Sequence, residues 1–163
     1  MARRPAGRSA RPAGRSSGAL TTGLQGYGTP VDTTVLDIDT TDRRLVDLTT
    51  EVDDFCAGRG DGLLSVFVPH ATAGLAVVET GAGSEPDLLE LLDRLLPRDD
   101  RYVHRHGAAG HGADHVLPAL VSPSLVLPVG DGRPLLGTWQ HVVLVDLNVD
   151  NPRRQVRCSF LGG

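Results

Sequence analysis

Six histidines occur in the 163 residues, and four of them fall in the twelve-residue string HRHGAAGHGADH: His104, His106, His111 and His115. The other two are His70 and His141. Neutral imidazole is the commonest ligand for zinc and its neighbours, and three protein ligands with a fourth position open is the catalytic arrangement. His70 follows the apolar run Leu63–Val68 and Pro69, where a strand end would present a ligand at a sheet rim. The glycines of the string let His104 and His115 return to one point. His111 and His115, four apart, share a face if that segment is helical. His70, His104, His111 and His115 are the candidate metal ligands on this reading, with the set among them open. His106 ranks last, set against His104 on an extended segment. A histidine-rich loop that is simply solvated is the alternative, because no tight motif such as HExxH is present. His141 reads as a structural residue in a strand of alternating character.

Glu79 follows Val77 and Val78, where a carboxylate is costly unless exposed or paired. It is a candidate acid–base group, or a group hydrogen-bonded behind a metal ligand. Glu85 and Asp87 read instead as first-turn residues that complement a helix dipole.

The elements that must carry these groups are legible in outline. Val35–Ile38 and Leu45–Leu48 look like two short strands around a turn at Thr40–Asp42. Thr49 or Thr50 can cap a short helix ending at Cys56, and Leu63–Val68 and Leu75–Glu79 follow as strands. Ser84 with Asp87 resembles a capping box, opening an apolar-faced helix that stops at Pro97. Residues 98–112 read as loop, and Asp114–Leu120 as a short helix with Pro118 in its first turn. Leu125–Leu127, Arg133–Leu136, Gln140–Leu147 and Val156–Leu161 are strand-like, with a hairpin at Gly130-Asp131-Gly132. Two or three short helices set apart from a mainly antiparallel sheet make an α+β domain. No GxGxxG fingerprint, P-loop or GxSxG elbow is present.

Charge divides the chain. All 16 basic residues are Arg, and five of them precede the first acid, Asp32. The formal charge of −4 therefore combines a leading segment of +5 with a remainder of −9. An acidic domain repels polyanions, so nucleic acid is not the expected partner. The leading segment repeats RPAGRS at 4–9 and 11–16 and, after Met1, lacks large apolar residues until Leu20. Residues 1–31 are expected to be a disordered tail, with 32–163 as one domain. An organelle transit peptide shares this composition. No apolar run is long enough to span a membrane, and Cys56 and Cys158 have no metal-ligand spacing. Two buried free thiols in a cytoplasmic protein are expected.

One family matches these residues. Pro69-His70-Ala71-Thr72-Ala73-Gly74-Leu75, then Glu79, Tyr102-Val103-His104, His115 and the stretch Ser124–Gln140 (SLVLPVGDGRPLLGTWQ) resemble the YjbQ family, secondary thiamine-phosphate synthase enzymes. The likeness covers about residues 33–162. It implies a YjbQ-like antiparallel sandwich that forms a homotrimer, with a histidine-lined pocket for a divalent metal ion, zinc or magnesium. His70, His104 and His115 match family histidines, Glu79 matches the glutamate of an Asn-Glu-Asn motif, and Trp139 and Gln140 would lie near or beneath the pocket. Val78 and Thr80 replace the two asparagines, Ala71 replaces a threonine, and Gly110-His111 stands where many members carry an acidic pair.

The implied activity is of thiamine-phosphate synthase type, a transfer on a small phosphorylated molecule. Arg105, Arg133, Arg153 and Arg154 are the candidate phosphate contacts. Metal-dependent hydrolysis with Glu79 as general base, or a non-catalytic metal-binding trimer, are the alternatives.

Overall fold

The computed structural model describes residues 31–99, 101–104 and 106–163. The tail expected over 1–31 therefore lies outside the described residues, apart from Val31. Eight strands and four helical segments follow in the order β1 (Asp32–Asp39), β2 (Leu45–Asp47), α1 (Thr49–Cys56), β3 (Gly62–Phe67), β4 (Ala73–Val78), α2 (Ser84–Leu95), α3 (His111–Asp114), α4 (Leu117–Leu120), β5 (Ser124–Gly130), β6 (Arg133–Pro134), β7 (His141–Asp146) and β8 (Arg153–Gly162). Every strand pairing is antiparallel. The α+β class read from the sequence is the observed one. Among the described residues no helix is long and apolar enough to cross a membrane.

The strands form two sheets, β1-β8-β3-β5-β6 and β2-β7-β4. Inward side chains of both, among them Leu64, Val66, Val156 and Cys158 from the larger and Val46, Leu75, Val142 and Leu144 from the smaller, share one core with Val52 and Cys56 of α1. Val145 and Leu147, from β7 and the residue after it, pack instead with Leu92 and Leu96 of α2 and the α3–α4 segment. The smaller sheet is thus covered on both faces. That explains why β7 is a continuous apolar run, Val142-Val143-Leu144-Val145, rather than the alternating strand expected from a half-solvated position.

The two strands around the turn at Thr40–Asp42 form as read, and they belong to different sheets, β1 paired with β8 and β2 with β7. The turn, with Asp42 at φ 57°, carries the chain from one sheet to the other. Ser84 caps nothing: the residue before α2 is Gly83 in the left-handed region, and Glu85 reaches back to accept the Gly81 N–H at 2.7 Å. The helix read over Asp114–Leu120 is two single turns, one beginning at His111 and one with Pro118 in its first positions. The hairpin at Gly130–Gly132 forms as read, with Asp131 at φ 50° and Gly132 at φ 72°.

A buried ion pair joins the sheets. Arg154 of β8 donates from Nε and Nη2 to the two carboxylate oxygens of Asp146, at the end of β7, at 2.6 and 3.0 Å. Their side chains are 2% and 1% exposed. Thr40 Oγ1 donates to the same carboxylate at 2.8 Å, the Asn148 N–H at 3.0 Å, and Arg154 Nη2 also reaches Thr72 Oγ1 at 3.2 Å.

Removing one partner strands a buried charge, so Arg154→Met is expected to lower stability by about 3–5 kcal/mol. Denaturant unfolding measures this, and a loss below 1 kcal/mol would contradict the bidentate geometry. Burial also pushes the Cys158 thiol up to about 11 and raises Cys56. Both thiols should resist an aromatic disulfide reagent at pH 8 in the native protein and react together only on unfolding.

Candidate metal centre

Imidazoles gather here because glycine lets backbone crowd against them. Residues 102–104 and 106–110 have little regular structure, and Tyr102 and His104 lie against Gly112 of α3. A Cβ at Gly112 would meet Tyr102 Cβ at 2.5 Å and the His104 carbonyl oxygen at 3.0 Å. Gly107, at φ 82°, sits so close to Asp150 Oδ2 and the His111 ring that a Cβ there would lie 2.8 Å from each. Any other residue at these positions would push the loop off the helix turn.

The result is one cluster. His104, His106, His111 and His115 each offer a ring nitrogen, and these four atoms all lie within 4.8 Å of one another. His111 Nε2 and His115 Nε2 face each other at 2.9 Å. The edge of a tetrahedral zinc site is about 3.3 Å for Zn–N bonds near 2.05 Å, so the set brackets that geometry. His104, His106 and His111 border a polar cavity of about 180 Å³ together with Asp99, Tyr102 and the loop backbone. Partial desolvation, reinforced by the neighbouring imidazoles, holds His104 and His115 below the ordinary imidazole value. Lowered values keep their lone pairs free at neutral pH, as ligation requires.

Acids support the cluster from behind. Asp114 is fully buried and paired with Arg98, whose Nη1 also donates to the Leu147 carbonyl at 2.9 Å. Burial raises Asp114 even though Arg98 pulls it down. His111 Nδ1 lies 3.1 Å from Asp150 Oδ2 and 3.7 Å from Asp114 Oδ2.

Of the ligands read from sequence, His104, His111 and His115 meet and His70 does not. His70 stands on a different cleft with Asp37, Asp39, Arg153 and Gln155. Its Nε2 accepts the Gln155 N–H at 2.9 Å, and its Nδ1 faces Arg154 at 3.4 Å. The nitrogen lone pair a metal would need is already engaged. His106, ranked last, belongs to the cluster. Residues two apart on an extended segment point to the same side, and that signal was available in the string HRH.

Other candidates disperse. Glu79 is exposed just beyond the end of β4 remote from Asp146, which pairs with Ala73 at the strand's start. At 3.3 Å per residue that separation is roughly 20 Å. Trp139 is 69% exposed, in a turn closed by Gln140, whose Oε1 accepts the Gly137 N–H at 2.7 Å. Neither residue lines the histidine cavity. Arg154 is consumed by Asp146, Arg133 borders a cleft with Asp53 and Asp54, and Arg153 is exposed beside His70. Arg105 lies outside the described residues. His141 is tied to Asp47 at 2.9 Å, in keeping with a structural role. Asp150, 42 residues beyond Ala108, carried no local signal for its place here.

Residues 34–163 match the family model described as UPF0047 protein YjbQ-like. The UPF0047 protein Rv2556c of Mycobacterium tuberculosis is 66% identical over 133 residues, covering 82% of this chain and 100% of that relative. UPF0047 protein YugU of Bacillus subtilis is 33% identical over 122 residues, with 72% and 89% covered. A crystal structure of a YbjQ-like protein of unknown function from Sulfolobus solfataricus superposes with a TM-score of 0.75 at 25% identity, covering 82% of this chain and 99% of that one. The match over residues 34–163, the identity to these relatives and the superposition show that the chain belongs to the YjbQ-like UPF0047 family.

Proposed function

We propose that this chain is a metal-dependent enzyme acting on a small phosphorylated substrate, with the histidine cluster as its metal centre. The observation that carries the reading is the convergence of four imidazole nitrogens within 4.8 Å beside an open cavity. The donor set favours a transition metal of the zinc class over magnesium, which takes oxygen ligands. A divalent cation bound there supplies Lewis-acid neutralisation of phosphate charge. That role falls to the cation because Arg98 and Arg154 are already paired with buried carboxylates. His111 and His115 hold the inner side of the centre, while His104 and His106 are exposed and set its open side. The specific reaction proposed from family resemblance is of thiamine-phosphate synthase type, coupling a pyrimidine diphosphate to a thiazole phosphate.

A second reading, a non-catalytic metal-binding module, draws on the count of ligands: four imidazoles complete a zinc tetrahedron and leave no open position. The exposure of Glu79, away from the cluster, adds to it. Two buried free cysteines favour a cytoplasmic location.

The outer face of the five-stranded sheet supports a homotrimer. Leu63, Phe67, Val126 and Leu161 are all exposed there on adjoining strands, an apolar surface suited to burial between copies.

Purified protein loaded with zinc and desalted should retain about one ion per chain, and His104→Ala/His115→Ala should retain none. Retention by the double variant would remove the cluster as the centre. Turnover of the two phosphorylated substrates that chelator abolishes and zinc restores selects the enzyme; full metal occupancy without turnover selects the module. Light scattering should give three times the 17.2 kDa of one chain, falling to one chain in Phe67→Glu/Val126→Glu. A monomeric parent overturns the trimer.

A further inference from the structure

We propose that Asp150 is the positioning residue of the metal centre, setting which nitrogen of His111 is free to bind. The inference rests on the metal reading above and concerns how one ligand is prepared. His111 is buried, and its Nδ1 looks toward carboxylates: Asp150 Oδ2 at 3.1 Å and Asp114 Oδ2 at 3.7 Å. Asp114 is already committed to Arg98, whose guanidinium also holds the Leu147 carbonyl. A carboxylate oxygen this close repels a nitrogen lone pair and attracts an N–H, so the imidazole proton is favoured on Nδ1. The other nitrogen, Nε2, is then a lone pair, and it is the one that faces His115 Nε2 at 2.9 Å inside the cluster. The approach of Asp150 to Nδ1 is oblique rather than linear, since Nδ1 has no well-aligned hydrogen-bond partner, so the contact acts through charge.

Asp150 is itself held in place. Its Oδ2 also accepts the Ala108 N–H at 2.9 Å, and its own N–H donates to Asn148 Oδ1 at 2.9 Å. Asn148 in turn donates its N–H to Asp146, the carboxylate clamped by Arg154. The segment after β7 therefore delivers a carboxylate to the back of a histidine presented by α3. The clearance at Gly107 is what lets that carboxylate reach the ring. A carboxylate behind a ligating histidine fixes its tautomer and raises its basicity, and losing such a partner typically weakens metal affinity 10- to 100-fold.

Co(II) is the probe, because tetrahedral coordination gives it visible absorption and a titratable affinity. Asp150→Ala should bind Co(II) about 10- to 100-fold more weakly than the parent, with Asp150→Asn between the two. In a His111→Ala background, Asp150→Ala should cause no further loss. Affinity within twofold of the parent in Asp150→Ala overturns the proposal. So does an equal loss in the His111→Ala background, which would make Asp150 a brace for the Ala108 loop. A parent protein that takes up no Co(II) overturns the metal reading and this inference with it, whereas a parent that binds while Asp150→Ala is unaffected overturns the inference alone. Unfolding curves of the metal-free variants establish that each one folds.

Discussion

The ion pair between Arg154 and Asp146 is the constraint around which the molecule is organised. It lies where the last strand of the large sheet meets the end of the central strand of the small one, and both side chains are almost wholly buried. Two buried charges are tolerable only when each is fully hydrogen-bonded. Thr40, Thr72 and the Asn148 backbone complete that requirement. The pair therefore fixes three things together: the spacing of the sheets, the crossing of the chain at Thr40, and the start of the segment that carries Asn148 and Asp150. Arg98 plays a similar part on the helical side, joining Asp114 of α3 to the Leu147 carbonyl.

This frame explains why a glycine-rich loop can present an ordered set of imidazoles. Loops gain precision from the rigid elements that they touch. Here one wall is α3, pinned through Asp114, and the other is the segment after β7, pinned through Asp146. The glycines remove the side chains that would hold those walls apart. An acidic domain surrounds the site, and its arginines nearest the ion pairs are spent on structure.

Much of the architecture could be read from the chain. The helix to Cys56, the apolar strand after it, the helix before Pro97 and the hairpin at Gly130–Gly132 all follow from local periodicity and turn chemistry. The pairing of the strands around Thr40 was not legible, because local sequence records proximity along the chain, whereas their partners, β8 and β7, are more than a hundred residues away in one case and close to it in the other. The pattern of β7 failed because alternation marks a strand with one wet face, and here helices cover the second.

By itself the sequence determined the fold class, the family and the concentration of imidazoles between His104 and His115. These depend on composition, periodicity and motifs, which are properties of neighbouring residues. The tertiary structure decided which imidazoles meet. It detached His70 by giving its Nε2 to the Gln155 backbone, brought in His106, and removed Arg154 from the ligand-binding candidates by burying it against Asp146. It also introduced Asp150. Coordination and charge pairing act over a few ångströms in space, and chain separation carries no information about such contacts until the sheets and helices are packed.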